Sequence, residues 1–265
     1  MRGFLNLGNT CYFNTALQCL LHIPVLSNYF LHAQYTGDCQ FTQLYSALVH
    51  FYWVSREKGV VNMEPLLEQF YVHFPRFKNH DQHDVQEAIL CIIDILERSR
   101  PQIKDWFYGK KTQETVWPGG KSSSEEDFGI HLVTSRGTDL GEMLKKSTSW
   151  NVIENFEDTE GRVYNVATTR MVFSKLPQVF MISFDSKSHI HVIENIFIDK
   201  NEYNLIASAV HVGMQADGHY VSFVKNEAKW YYINDDVVKE AELPITAGHY
   251  VLVYNLKTPS TECSP

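Results

Sequence analysis

The chain has no CxxC pair and no apolar run long enough to span a bilayer, and positive charge is in deficit, with 23 Lys and Arg against 31 Asp and Glu. Each absence excludes a class. Five cysteines, scattered at positions 11, 19, 39, 91 and 263, make neither a disulfide framework nor a paired zinc ligand set, so a reducing compartment, cytoplasmic or nuclear, is expected. A net charge of -8 argues against binding to nucleic acid or an anionic membrane and is compatible with a cationic partner. The apolar stretch after Cys11 is broken by His22 and Pro24 and lacks a basic leader, so neither a signal peptide nor a transmembrane helix is expected. Met1 stands ten residues before Cys11, and no upstream targeting domain is expected. There is no internal repeat.

What is present reads as a folded globule, 44% hydrophobic and 13% aromatic, of a length that suits one domain or two. Apolar residues recur at helical spacing after Cys11, then at Leu44, Ala47, Leu48 and Phe51, at Leu66, Leu67, Phe70 and Phe74, and at Val85, Ala88, Ile89, Ile92, Ile93 and Leu96. From Trp106 onward the texture changes to short β-rich runs such as Val179 to Phe184. The expected class is therefore α+β. The polar stretch from Pro118 to Asp127 reads as a flexible loop, and Lys257 to Pro265 as a frayed tail.

The most informative residue is Cys11. It ends a Gly- and Asn-rich approach and opens an apolar repeat at Phe13, Ala16, Leu17, Leu20 and Leu21, with Thr10 as N-cap. A thiol in the first turn of a helix meets unpaired N–H groups and the positive end of the macrodipole, which favour thiolate. The alternative is a small buried hydrophobe, which suits Cys19 and Cys91.

A thiolate nucleophile needs a base held in one tautomer by a third polar group. Among twelve histidines, His219 is distinguished by two strand-like runs, Gly218 to Val224 and Lys229 to Asn234. A hairpin closed at Asn226-Glu227 sets Lys225 opposite Ala228 and His219 opposite Asn234, with Cβ atoms about 4.5–5.5 Å apart. Asn234 could then orient the ring. In that register Asp235 points to the other face and ranks second. Taken alone, His219 reads first as a partly buried strand histidine satisfied by backbone, and the pairing with Asn234 reverses that preference. His249 repeats the Gly-His-Tyr word but reads as a core strand. Asn6 and the Cys11 backbone N–H are candidate oxyanion donors, and Asn9 reads as a turn residue.

Together the blocks Asn6 to Asn14 with Leu17-Gln18, Gln82 to Glu87, and Asp217 to Tyr220 with Trp230 to Asp235 resemble the ubiquitin-specific proteases, the papain-like deubiquitinases. The resemblance spans nearly the whole chain. It implies a single catalytic domain over 1–265 with papain-like architecture: a helical thumb (1–105), short fingers (106–170), a β-rich palm (171–256) and a tail (257–265). It implies Cys11 as nucleophile, His219 as base, Asn234 as third member with Asp235 beside it, and Asn6 as oxyanion donor. Gln82, Asp84, Glu87, Gly218 and Tyr220 would bind substrate, with ubiquitin or ubiquitinated proteins as partners and no cofactor. Asp84 and Glu87, at i and i+3, could hold the arginines of ubiquitin's Arg-Leu-Arg-Gly-Gly tail, or could simply complement a helix dipole.

The chain departs from the family in two places. The family's fingers usually carry two CxxC pairs for a structural zinc, and none is present here, so no metal is expected. The run Ser183-Phe184-Asp185 also lacks the Lys-Arg-Phe often found after this strand. The short fingers motivate a rival substrate, another ubiquitin-like modifier. A catalytically inactive ubiquitin-binding scaffold is the rival from a different class.

Overall fold

The structure is a computed structural model that describes residues 1–57, 59–79, 81–134, 137–184, 189–213 and 218–257. Asp185, Asp217 and the tail beyond Lys257 lie outside the described residues. The first part of the chain is helical: α1 (Cys11–Leu21), α2 (Pro24–His32), α3 (Gln40–Val54), α4 (Glu64–His73), a 3-10 turn (Pro75–Phe77), α5 (Val85–Ser99) and α6 (Ile103–Phe107). Every residue of α1 is buried. It packs against α5, whose Val85, Ala88, Ile89, Ile92, Ile93 and Leu96 form one apolar stripe. Thr10 occupies the N-cap of α1 without a capping hydrogen bond. Its hydroxyl instead accepts from the Leu7 N–H at 2.9 Å and tightens the approach loop.

The remainder is mostly strand: β1 (Gly109–Trp117), β2 (Gly120–Phe128), β3 (Ile130–Val133), then α7 (Leu140–Thr148), β4 (Asn151–Glu157), β5 (Val163–Lys175), β6 (Val179–Phe184), β7 (Ile190–His191), β8 (Asn195–Ile198), β9 (Asn201–Val212), β10 (His219–Asn226), β11 (Lys229–Asn234), β12 (Val237–Glu240), β13 (Thr246–Ala247) and β14 (His249–Leu256). The large sheet runs β12-β11-β10-β9-β14-β6-β3, with β8 also on β9. Both of its faces are covered. Val179, Met181, Ala207, Ala209, Val251 and Val253 face the helices, while Phe180, Ile182, Phe184, Leu252 and Tyr254 join a second core with Leu140 and Met143 of α7. This explains why β6 is an unbroken apolar run rather than an alternating one.

A four-stranded antiparallel sheet, β2-β1-β5-β4, forms a separate layer. The expected loop from Pro118 to Asp127 is instead a turn and most of β2, paired with β1 from Trp117↔Gly120 to Gly109↔Phe128. Composition misleads there because β2 is an edge strand exposed on both faces. Its ladder and cross-strand pairs such as Lys110–Glu125 (2.7 Å) and Lys111–Glu126 (2.8 Å) hold it. The 13-residue β5 carries this sheet past residue 170. At its far end Trp117 packs on Phe156 at 5.1 Å and Tyr164 at 6.2 Å. Beside them Asp158 accepts from Arg162 Nε (2.9 Å) and the Tyr164 hydroxyl (3.2 Å).

Candidate active site

The site forms where α1, the turn after β11 and the start of β10 meet. Cys11 begins α1 and is 4% exposed. Burial pushes its thiol above the ordinary range, the backbone N–H of Tyr220 pulls the other way, and the nearby Asp235 carboxylate adds to the rise. The expected resting preference for thiolate is therefore overturned: burial outweighs the helix N-terminus. Among the described residues no hydrogen bond joins Cys11 to His219; the thiol meets the backbone N–H groups of Tyr220, Tyr12 and Cys11 itself.

His219 Nε2 lies 2.7 Å from Asn234 Oδ1. An amide oxygen only accepts, so Nε2 carries the proton and Nδ1 keeps a lone pair. The contact arises in a register different from the expected one. The hairpin closes at Glu227-Ala228, with Asn226 opposite Lys229 and Ser222 opposite Ile233. His219 and Asn234 are thus diagonal rather than directly opposed. The reason is Glu227, which takes a positive φ of 55° and supplies the turn conformation that Asn226 was expected to provide.

Asp235 also departs from expectation. Its φ of 49° ends the strand alternation, and its carboxylate turns into the cleft. Oδ2 lies 3.7 Å from His219 Nε2 and accepts from Asn6 Nδ2 at 2.8 Å. Oδ1 accepts from Asn14 Nδ2 at 2.8 Å. Asn6 is fixed from its other end, its Oδ1 accepting from the N–H groups of Gly8 (3.0 Å) and Thr10 (3.3 Å). The amide is held at both ends, with one N–H on Asp235 and no partner for the other among the described residues. The Asp235 turn is docked on the N-terminal segment by Phe4 N–H donating to Asp235 O at 2.8 Å. A Cβ on Gly3 would sit 2.4 Å from Asp236 O, so the approach requires glycine.

Asn14, three residues after Cys11 on the same helical face, is a member that sequence reasoning did not assign a role. Its position at i+3 was the available signal. His249 lies fully buried in β14, its Nδ1 2.7 Å from the Ser208 hydroxyl.

The expected substrate-binding residues divide. Tyr220 is buried, and its hydroxyl meets the Val85 N–H and the Asp84 charge. Gly218 is buried against His211, whose Nε2 would lie 1.8 Å from a Cβ there. Gln82 is exposed. Asp84 and Glu87 do not form one free acidic face. Asp84 is the N-cap of α5, accepting from Gln86 N–H (2.7 Å) and Glu87 N–H (3.3 Å), and it also accepts from the Tyr250 hydroxyl. Glu87 is paired with Arg76, Oε1 to Nη2 at 2.6 Å.

The profile of the ubiquitin carboxyl-terminal hydrolase family matches residues 2–254. The chain belongs to this family. It is 23% identical over 345 residues to ubiquitin carboxyl-terminal hydrolase 2 of Bos taurus, covering 98% of this chain and 55% of the relative. It is 24% identical over 340 residues to hydrolase 51 of Mus musculus, covering 96% of this chain and 51% of the relative. The chain thus spans about half the length of these curated relatives. In fold it matches Ubp8 in the SAGA Ubp8/Sgf11/Sus1/Sgf73 deubiquitinating module bound to ubiquitin aldehyde, with TM-score 0.81, 20% identity, and 97% of this chain and 70% of that one covered. A second structure of that module, bound to monoubiquitin, gives TM-score 0.82 at 19% identity, covering 97% of this chain and 69% of that one. This family fold is the mixed helix-and-sheet architecture described above. Among the described residues no helix is long and apolar enough to cross a membrane.

Proposed function

We propose that this chain is a thiol-dependent deubiquitinase that hydrolyses the isopeptide or peptide bond after the C-terminal glycine of ubiquitin. The observation that carries the reading is the 2.7 Å contact from His219 Nε2 to Asn234 Oδ1, which orients the ring and leaves Nδ1 as the basic nitrogen. Family membership supports it, as does the ubiquitin aldehyde bound in the Ubp8 structure.

In this mechanism His219 Nδ1 takes the Cys11 proton as sulfur attacks the glycyl carbonyl. The tetrahedral oxyanion accepts from the free N–H of Asn6 Nδ2 and from the Cys11 backbone N–H. Imidazolium then gives its proton to the leaving amine, leaving a thioester. Water, deprotonated by the same nitrogen, attacks the thioester, and the thiol leaves with the proton. Asn234 and Asp235 steady the imidazolium that forms twice in the cycle, Asn234 by accepting and Asp235 by charge at 3.7 Å. Raising the thiol by burial makes this base necessary rather than auxiliary. In this reading Gly218, Tyr220, Gln82 and Glu87 contribute to binding the substrate tail.

In this reading residues 1–265 form one catalytic domain, with thumb, fingers and palm as assigned from the sequence. Its partners are ubiquitin and ubiquitinated proteins, in the cytoplasm or nucleus. Hydrolysis of a ubiquitin–lysine isopeptide conjugate, run beside conjugates of other ubiquitin-like modifiers, tests it. Turnover of ubiquitin that is lost in Cys11→Ala is expected. Turnover of another modifier alone would reassign the substrate, and binding of ubiquitin without turnover by the folded chain would make it a scaffold.

A further inference from the structure

Asp84 and Glu87 are equivalent in the sequence and unequal in the structure. Asp84 is committed on both oxygens, to its own helix and to Tyr250. Freeing it for a ligand would uncap α5 and strand a partly buried tyrosine hydroxyl. Among the described residues the Glu87 carboxylate is committed to one partner, Arg76, through Nη2 at 2.6 Å and Nε at 2.8 Å. Both side chains of that pair are about half exposed, 55% and 46%, so the pair is screened by water and contributes little to stability. Glu87 can change partner cheaply, and Asp84 cannot.

The guanidinium is nevertheless well placed. It lies along α5, with Nη2 also 3.3 Å from Cys91 Sγ, one turn beyond Glu87. It stacks over Phe77 at 5.0 Å and Phe74 at 5.2 Å. Phe77 in turn stacks on Tyr12, the residue after the nucleophile, at 5.7 Å. Arg76 thus presents to Glu87 the same group, in the same charge-assisted bond, that an arginine of the ubiquitin tail would present.

We propose that Arg76 is an internal stand-in for a tail arginine of the substrate: it holds Glu87 in the resting chain and is exchanged for that arginine on binding. This rests on the deubiquitinase reading and makes Arg76 a specificity-determining residue that acts through Glu87. The exchange replaces one ion pair by another, so the tail gains only the difference between them, and the resting chain resists partial tails that lack the arginine.

The test is steady-state hydrolysis of a ubiquitin conjugate by the parent, Arg76→Ala, Arg76→Lys, Glu87→Gln and the Arg76→Ala/Glu87→Gln double variant. It is repeated with ubiquitin whose two tail arginines are changed to glutamine. Removing a competing exposed pair should lower KM about two- to fivefold in Arg76→Ala with kcat unchanged. Arg76→Lys should move KM in the same direction by less, and it covers the case in which Arg76→Ala fails to fold. The gain should vanish in the Glu87→Gln background and on the glutamine-tailed substrate. An unchanged or raised KM in Arg76→Ala and Arg76→Lys, alongside a Glu87→Gln variant that binds more weakly, would overturn the stand-in role while leaving Glu87 as tail ligand. A Glu87→Gln variant with unchanged KM would overturn both.

Discussion

Two cysteine–histidine pairs can be compared within this chain. Cys11 lies in the cleft with His219, and Cys39 lies at the outer end of α3 with His73, Sγ to Nε2 at 3.9 Å. By ionisation alone Cys39 would be favoured over Cys11. Burial would raise the Cys39 thiol, but the Ser99 and Thr42 hydroxyls and the N–H groups of Thr42 and Phe41 outweigh it and hold the thiol below the ordinary range. Cys11 is held above that range by burial. What the proposed mechanism gives Cys11, and Cys39 lacks among the described residues, is an imidazole oriented by an amide oxygen and an amide held at both ends. Among the described residues His73 has no amide or carboxylate hydrogen-bond partner corresponding to Asn234. Reactivity toward a carbonyl is built from partners placed for the transition state, not from a thiol that is acidic at rest.

The largest effects should separate the pairs completely. Cys11→Ala is expected to lower kcat/KM for a ubiquitin conjugate by at least about 10³-fold, and His219→Ala by about 10²–10⁴-fold. Comparable losses in Cys39→Ala or His73→Ala would break the comparison. Next is the oxyanion donor. Asn6→Ala should cost about 10²–10³-fold, chiefly in kcat, because the bond strengthens only in the transition state. An effect confined to KM would assign Asn6 to substrate binding instead.

A smaller and sharper difference should appear in alkylation by iodoacetamide across pH, followed by peptide mapping. In His219→Ala, Cys11 labelling should have its midpoint at a higher pH than Cys39 labelling. The reverse order would contradict the burial argument. The smallest effect is expected at the outer pair itself. Cys39→Ala should leave kcat/KM within about twofold of the parent and stability within about 1 kcal/mol, read by kinetics and thermal unfolding.

How far the sequence revealed this arrangement depended on whether the local rule it used continued to the residue in question. Helices α1 and α5 and strand β6 were readable because burial imposes its pattern on every position. Strand β2 was not, because an edge strand exposed on both faces carries no such pattern, and its pairing is set by backbone and by β1. Alternation placed Asp235 away from the cleft, but alternation stops at Asn234, and the positive φ at the next residue turns the carboxylate inward. A similar positive φ at Glu227 shifted the hairpin by one residue on each side. The His219–Asn234 contact survives that shift because a diagonal neighbour shares the face of a direct one. The pairing of Arg76 with Glu87 left no trace in spacing or composition, since the two meet across a turn and two different elements.

The central claim is that the buried, reluctant thiol of Cys11 becomes the nucleophile through its partners. The most direct test is to treat the parent, Cys11→Ala and His219→Ala with ubiquitin carrying a C-terminal thiol-reactive warhead and to map the adduct by mass spectrometry. One ubiquitin on Cys11, absent in Cys11→Ala and slowed in His219→Ala, is the predicted result. An adduct on the more acidic Cys39, or one on Cys11 at an unchanged rate without His219, would contradict it.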